Sequence, residues 1–163
     1  MSQNLQKVDH TALKANQLVI IVLALVAFVV NAWWLAGVIA LFMVVGAIIG
    51  KPGFLFLYRF VFKPTGILKP EIHLDNPEPH RFAQGFGAVV LVAGTLFLYF
   101  GHHIIGWGLV WLVIALASLN AFAGFCAGCF VYYQLAKIKV PGFSKLPPEG
   151  TFPGLKPKKA SGT

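Results

Sequence analysis

The run from Leu18 to Gly50 contains no charged residue. As one α-helix it would reach roughly 50 Å, against a bilayer hydrocarbon core of about 30 Å. A run of that length is accommodated if it folds back on itself. Its middle, VNAWWLAG, offers the place, because Asn31 is polar and Trp33 and Trp34 favour the membrane–water interface. The run therefore predicts two short spanning helices, about 15–32 and 34–50, joined by a tight turn. A single long helix is the alternative. Composition agrees with a membrane protein: 58% of residues are hydrophobic and only 11% charged, where a soluble domain carries about 25%. Lys7 and Lys14 precede the first apolar run as in a secretion signal, but no small-x-small cleavage site follows, and an uncleaved anchor is the expectation.

Residues 51–84 differ in kind. FLFLYRFVF is too short to span and is interrupted by Arg59, which fits an interfacial helix half-sunk among headgroups. The proline-rich stretch after it reads as a loop, since each proline disfavours helix at the preceding residue. A third span is expected at about 81–100, with Gly87, Gly94 and Gly101 on one stripe. Small residues let helix backbones approach closely in lipid, so the stripe reads as a packing seam, with a cleft lining as the alternative. GHHIIGWG turns the chain into a fourth span, about 104–131. Residues 136–163 form a basic Pro/Gly-rich tail without apolar periodicity, expected to be extended or disordered unless held by a partner.

The net charge of +8 is distributed in a telling way. In the four-helix reading all thirteen Lys and Arg fall before the first helix, between the second and third, or after the fourth. The turns at Asn31–Trp34 and Gly101–Gly106 carry none. The positive-inside rule then places both termini and the middle loop in the cytoplasm. The predicted class is an all-α membrane protein: a single domain, 1–135, of four transmembrane helices arranged as two hairpins, N-in/C-in, with a cytoplasmic interfacial helix and loop between helices 2 and 3. Anionic headgroups explain the basic residues more simply than nucleic acid does, and no nucleic-acid motif is present.

Cys126 and Cys129, the only cysteines, stand in a C-x-x-C spacing in GFCAGCFVYY. This topology puts them at the inner boundary of the fourth helix, facing a reducing compartment where a structural disulfide is not expected. On a helix both thiols share a face, and the spacing suits an attacking and a resolving thiol. A helix C-terminus disfavours a thiolate, while Gly124 and Gly128 offer a local helix break and the neighbouring loops are basic. Two small apolar residues packing a helix end is the other reading. His80 and Arg81 are candidates for stabilising a thiolate or binding an anion, with loop stabilisation and snorkelling as the alternative. His73 and His80 with the cysteines make a Cys2His2 set by count, but the histidine spacing is not the usual ligand pair. No metal or other cofactor is assigned. The c-type haem motif fails because Phe130 follows Cys129. The histidines lie at helix ends or in loops, so a haem at mid-membrane is poorly supported.

ALKANQ (Ala12–Gln17), PEPHRFAQG (Pro77–Gly85) and LNAFAGFCAGCFVY (Leu119–Tyr132) together resemble an uncharacterised bacterial integral-membrane family, a domain of unknown function, over about residues 8–135. The cysteine segment also resembles the TGFC helix end of small membrane modules attached to rhodanese sulfurtransferases, which implies sulfur handling at the inner membrane face. The leading functional expectation is thiol–disulfide or sulfane-sulfur exchange through Cys126 and Cys129 with a soluble thiol or sulfurtransferase partner. The alternative is a non-catalytic subunit of a larger membrane complex. A transporter is the weaker class, because no ionisable residue marks a path at mid-membrane.

Overall fold

The computed structural model describes residues 6–62, 64, 71–148 and 150–156. Lys63, Lys69, Lys158 and Lys159 of the basic set lie outside the described residues. In chain order, strand β1 (Gln6–Asp9) leads into helix α1 (His10–Val29) and α2 (Trp33–Ile49). A single turn α3 (Leu55–Leu57) runs into a π-helical turn at Tyr58–Phe62. Strand β2 (Ile72–Asp75) precedes α4 (Pro77–Tyr99), α5 (His103–Ala123) and α6 (Ala127–Lys137). The two strands pair antiparallel, Gln6 opposite Asp75 and Asp9 opposite Ile72.

α1, α4 and α5 are each long and apolar enough to cross a membrane, and α2 is apolar but shorter, at 17 residues. The charge-free run does fold back. Asn31 adopts a left-handed conformation (φ 51°), Ala32 N–H donates to Ala27 O, and Trp107 Nε1 donates to Asn31 Oδ1 at 3.2 Å. The second hairpin closes at Gly101 (φ 82°), between α4 and α5. α4 packs on α2 and α5, and α1 on α5 and α2, so the four long helices form a closed ring with sequence neighbours antiparallel. Small side chains fill its centre, among them Ala24, Ala36, Ala88 and Ala117, around Ile20, Ile39, Leu91 and Val110. Val29, Leu41, Ile48, Val89 and Ile104 point outward, exposed. An apolar exterior around a core of small residues suits a bundle solvated by lipid, where close packing rather than water exclusion drives association.

The glycine stripe is only partly a seam. Gly94 lies against Gly106 O and Leu109, and Gly87 against Met43, whereas Gly101 belongs to the turn and a Cβ there would touch nothing. The interfacial segment is an aromatic turn tied to the bundle at two points: Asn16 Oδ1 accepts from Phe54 N–H at 2.9 Å, and Asp9 Oδ2 accepts from Tyr58 OH at 3.0 Å. Asp9 also caps α1 by accepting from Thr11 N–H at 3.0 Å.

Several helix boundaries differ from the sequence reading, α1 among them, which starts at His10 behind the Asp9 cap rather than at about 15. α4 starts at Pro77 rather than Arg81, because Pro77 sits in the first turn, where its missing N–H is harmless and its fixed φ favours the helix. The fourth span does not run to 131: α5 ends at Gly124, in the left-handed conformation (φ 65°), and α6 is a separate helix. The tail is not free of structure either, since residues 151–156 return to residues 124–126.

A Cβ on Gly106 would lie 2.6 Å from Leu98 Cγ and 2.9 Å from Gly94 O, while one on Gly108 would meet nothing within 4 Å. Gly106→Ala should therefore lower unfolding stability by about 1–3 kcal/mol, and Gly108→Ala should be neutral or mildly stabilising. Denaturant titration of helicity in matched detergent micelles checks the pair.

Candidate functional site

The antiparallel ring brings the starts of α1 and α4 and the end of α5 to one end of the bundle, and the two cysteines stand there. Gly124 releases the chain from α5, and Cys126, with extended φ −93° and ψ 100°, becomes the N-cap of α6. Its Sγ accepts from Cys129 N–H at 3.2 Å. The sequence reading put the pair at a helix C-terminus; the break at Gly124 reverses this and places it at the start of α6, where the helix dipole favours negative charge. Cys126 and Cys129 are joined as a disulfide, with Cα atoms 5.1 Å apart. Both are almost fully buried, at 5% and 2% exposure.

Pro77 at the start of α4 puts His80 one turn in, facing α6. His80 Nδ1 lies 3.5 Å from Cys129 Sγ, and its Nε2 lies 2.9 Å from Asp75 Oδ2. The same carboxylate oxygen is 3.2 Å from His10 Nε2, and Asp75 Oδ1 accepts from Asn76 N–H at 2.7 Å. Burial alone would raise the Asp75 carboxyl, but the hydrogen bonds from His10 and His80, the charge of His80 and the Asn76 N–H outweigh it and hold the group well below the usual carboxylate range. Burial also pushes the Tyr133 hydroxyl up to about 12, with the nearby Asp75 charge adding to it against an opposing hydrogen bond from Asn76.

These groups line a cavity of about 410 Å³ whose wall includes both cysteines, His80, Asp75, Lys14 and Lys156. The returning tail forms part of the wall: Cys126 N–H donates to Gly154 O at 2.8 Å, and Lys156 N–H donates to Gly124 O at 3.1 Å. Lys156 also pairs with Glu71. Among the described residues, two sets of three side chains bring ligand-type atoms within 4.8 Å of one another: His80 with Cys126 and Cys129, and His10 with Asp75 and His80.

Of the four site residues read from the sequence, Cys126, Cys129 and His80 come together. Arg81 does not join them: its guanidinium donates to Ala47 O at 2.6 Å and Ile48 O at 2.9 Å, at the end of α2. His10, Asp75 and the tail residues Gly154 and Lys156 were not singled out as site residues by sequence. Five residues ahead of His80, in DNPEPH, Asp75 carried the one readable signal, a carboxylate next to the start of a histidine-bearing helix. The pairing of β1 with β2 ties the start of α1 to this segment, and the His10 side chain reaches Asp75 from there.

A helical membrane-type bundle bearing a buried cysteine pair at a helix N-terminus defines the class. The family model described as a domain of unknown function, DUF4395, matches residues 8–137, and the chain belongs to that family. This agrees with the uncharacterised family expected from the three motifs. No curated protein and no solved structure matches the chain.

The site depends on the close approach of α6 to α4. A Cβ on Gly128 would fall 2.5 Å from Ala83 Cβ and 2.7 Å from Ala83 Cα. Gly128→Val should push α6 away from α4, lower stability by about 1–3 kcal/mol and draw Cys129 away from His80. Thermal unfolding in detergent, with alkylation of the reduced thiols, should show both effects in one variant.

Proposed function

We propose that this chain is a four-span protein of the bacterial inner membrane, with both termini cytoplasmic, and that Cys126 and Cys129 carry out thiol–disulfide exchange with a soluble thiol partner. The observation that carries the reading is the chain of contacts from Asp75 through His80 to Cys129, set beside a cysteine that caps a helix N-terminus. The segregation of Lys and Arg supports the orientation. In a cytoplasmic setting the disulfide is a reversible intermediate rather than a permanent staple.

In the dithiol form, the first-turn N–H groups of α6 stabilise a thiolate at Cys126. That thiolate attacks a partner disulfide; a Cys126–partner S–S bond forms, the partner's own S–S bond breaks, and the departing partner thiolate takes a proton from solvent. Cys129 then gives its proton to His80 Nδ1 and attacks Cys126 Sγ, and His80 returns the proton to the second departing thiolate. Asp75 holds His80 with Nδ1 toward sulfur and stabilises the imidazolium. Two electrons pass to the partner and the Cys126–Cys129 disulfide remains; the reverse direction oxidises a partner dithiol. Both cysteines line the cavity, which suits a small persulfide as well. Cys126 would take its outer sulfur, releasing the carrier thiolate, and Cys129 would release that sulfur as hydrosulfide. The likeness to rhodanese-linked modules supports this variant, and Lys14 and Lys156 in the cavity wall suit an anionic substrate.

Equilibration of the full-length protein with glutathione buffers, read by maleimide mass shift, should give one two-electron transition between about −120 and −270 mV, the span of exchange-active pairs. A potential below about −300 mV marks a structural disulfide and overturns the reading. Thiols that never label after reduction overturn it as well. His80→Ala should slow exchange with glutathione by roughly 100-fold with the transition still present. An unchanged rate removes His80 from the mechanism and leaves the accessory-subunit reading as the better one.

A further inference from the structure

We propose that the reduced form of this site binds a single thiophilic metal ion of the Zn²⁺ class, through Cys126 Sγ, Cys129 Sγ and His80 Nδ1, with the fourth position open to the cavity. The argument is geometric. A tetrahedral zinc with bonds of about 2.3 Å to sulfur and about 2.0–2.1 Å to nitrogen holds a sulfur and a nitrogen ligand about 3.6 Å apart. His80 Nδ1 and Cys129 Sγ are already 3.5 Å apart. All three ligand atoms lie within 4.8 Å of one another. Two thiolates on zinc sit about 3.8 Å apart, so the cysteine sulfurs have only to separate from bonding distance when the disulfide is reduced.

The surroundings of the histidine point the same way. His80 turns Nδ1 to the sulfur because its other nitrogen is held 2.9 Å from Asp75. A carboxylate behind a ligating histidine fixes the ring and raises its basicity, an arrangement that recurs at metal sites. Asp75 is 3% exposed and fixed in turn by Asn76 N–H, so the support is rigid. Three ligands of the Cys2His type with a vacant fourth direction match open, reactive zinc sites rather than closed structural ones. All three ligand residues line the 410 Å³ cavity, which is large enough for a small thiol or water. The sequence assigned no metal, because His73 and His80 lack the spacing of a ligand pair; the set proposed here needs only His80.

Metal occupancy and the disulfide exclude each other. An incoming disulfide RSSR converts the loaded site to the Cys126–Cys129 disulfide, with release of the metal ion and two RS⁻; one S–S bond breaks, one forms, and charge balances. The proposal does not rest on the exchange reaction with a protein partner, since a site that binds metal without exchanging with glutathione remains a metal site.

The test uses the full chain in detergent, reduced with a phosphine and shown by thiol count to carry two free thiols, titrated with Co²⁺ and then Zn²⁺. One equivalent of Co²⁺ should give intense thiolate-to-cobalt absorption and tetrahedral d–d bands, both removed by one equivalent of Zn²⁺. The disulfide form of the same protein should give neither. Asp75→Asn should weaken binding roughly 10–100-fold, and His80→Ala should weaken it further and alter the d–d bands. Absence of the thiolate band in the reduced native chain overturns the proposal. Spectra and affinity unchanged in His80→Ala, with helicity intact, overturn it too, because the histidine would then not be a ligand.

Discussion

Breaking a helix frees backbone groups that must find partners, and the end of α5 is organised around that requirement. Gly124 takes the left-handed conformation that a side chain would resist, and α5 stops there. The groups released by the break are then met by the tail: Gly124 O accepts from Lys156 N–H, and Cys126 N–H donates to Gly154 O. Phe125 and Leu155 complete a one-bridge ladder between the same segments. Because the break lies between Ala123 and Ala127, Cys126 is a helix start rather than a helix end. That single reversal changes the electrostatics at the sulfur from unfavourable to favourable for negative charge. The polarity of the site is thus a consequence of where one glycine ends one helix.

Asp75 is the second fixed point. Its carboxylate joins the start of α1 through His10, the start of α4 through His80 and its own chain through Asn76 N–H. A buried carboxylate is tolerated only when such partners compensate its lost hydration. The β1–β2 pairing ties the start of α1 to the segment that carries Asp75: Asp9 lies opposite Ile72 and His10 N–H donates to Glu71 O at 3.0 Å, so the His10 side chain reaches Asp75 from the opposite end of β2. A ribbon of four-residue strands is too small to stand alone. Here it runs into two long helices, α1 and α4, and ties their starts together.

The large features were legible because each follows from a local rule. A charge-free run too long for one span had to turn, and Asn31 and the tryptophans marked where; the charge segregation marked which helix ends lie together. The break at Gly124 was weighed but not resolved, since glycine is common within membrane helices and a sequence does not display φ. Pro77 was read as ending loop rather than opening helix, although proline serves both positions. The contact between His80 and Cys129 joins residues 49 apart in sequence, and no spacing rule connects them. The tail carried no periodicity because it is held by backbone hydrogen bonds and by Lys156 rather than by an apolar face.

A site of this composition has few places to form in a membrane bundle. Thiolate, imidazolium and carboxylate are all expensive in hydrocarbon, so they belong at a bundle end, held by helices whose packing does not depend on them. The ring of α1, α2, α4 and α5 provides that rigidity through small-residue contacts. The two states proposed for the cysteines make different demands, since a disulfide needs bonded sulfurs and a metal needs them about 3.8 Å apart. Cys126 lies just outside the helix, with extended backbone torsions, while Cys129 lies inside the first turn and against α4. Movement of the Cys126 side chain can change the sulfur separation without unwinding α6 or disturbing Cys129 beside His80. Placing one cysteine at the N-cap and the other one turn inside therefore lets a rigid scaffold present both arrangements.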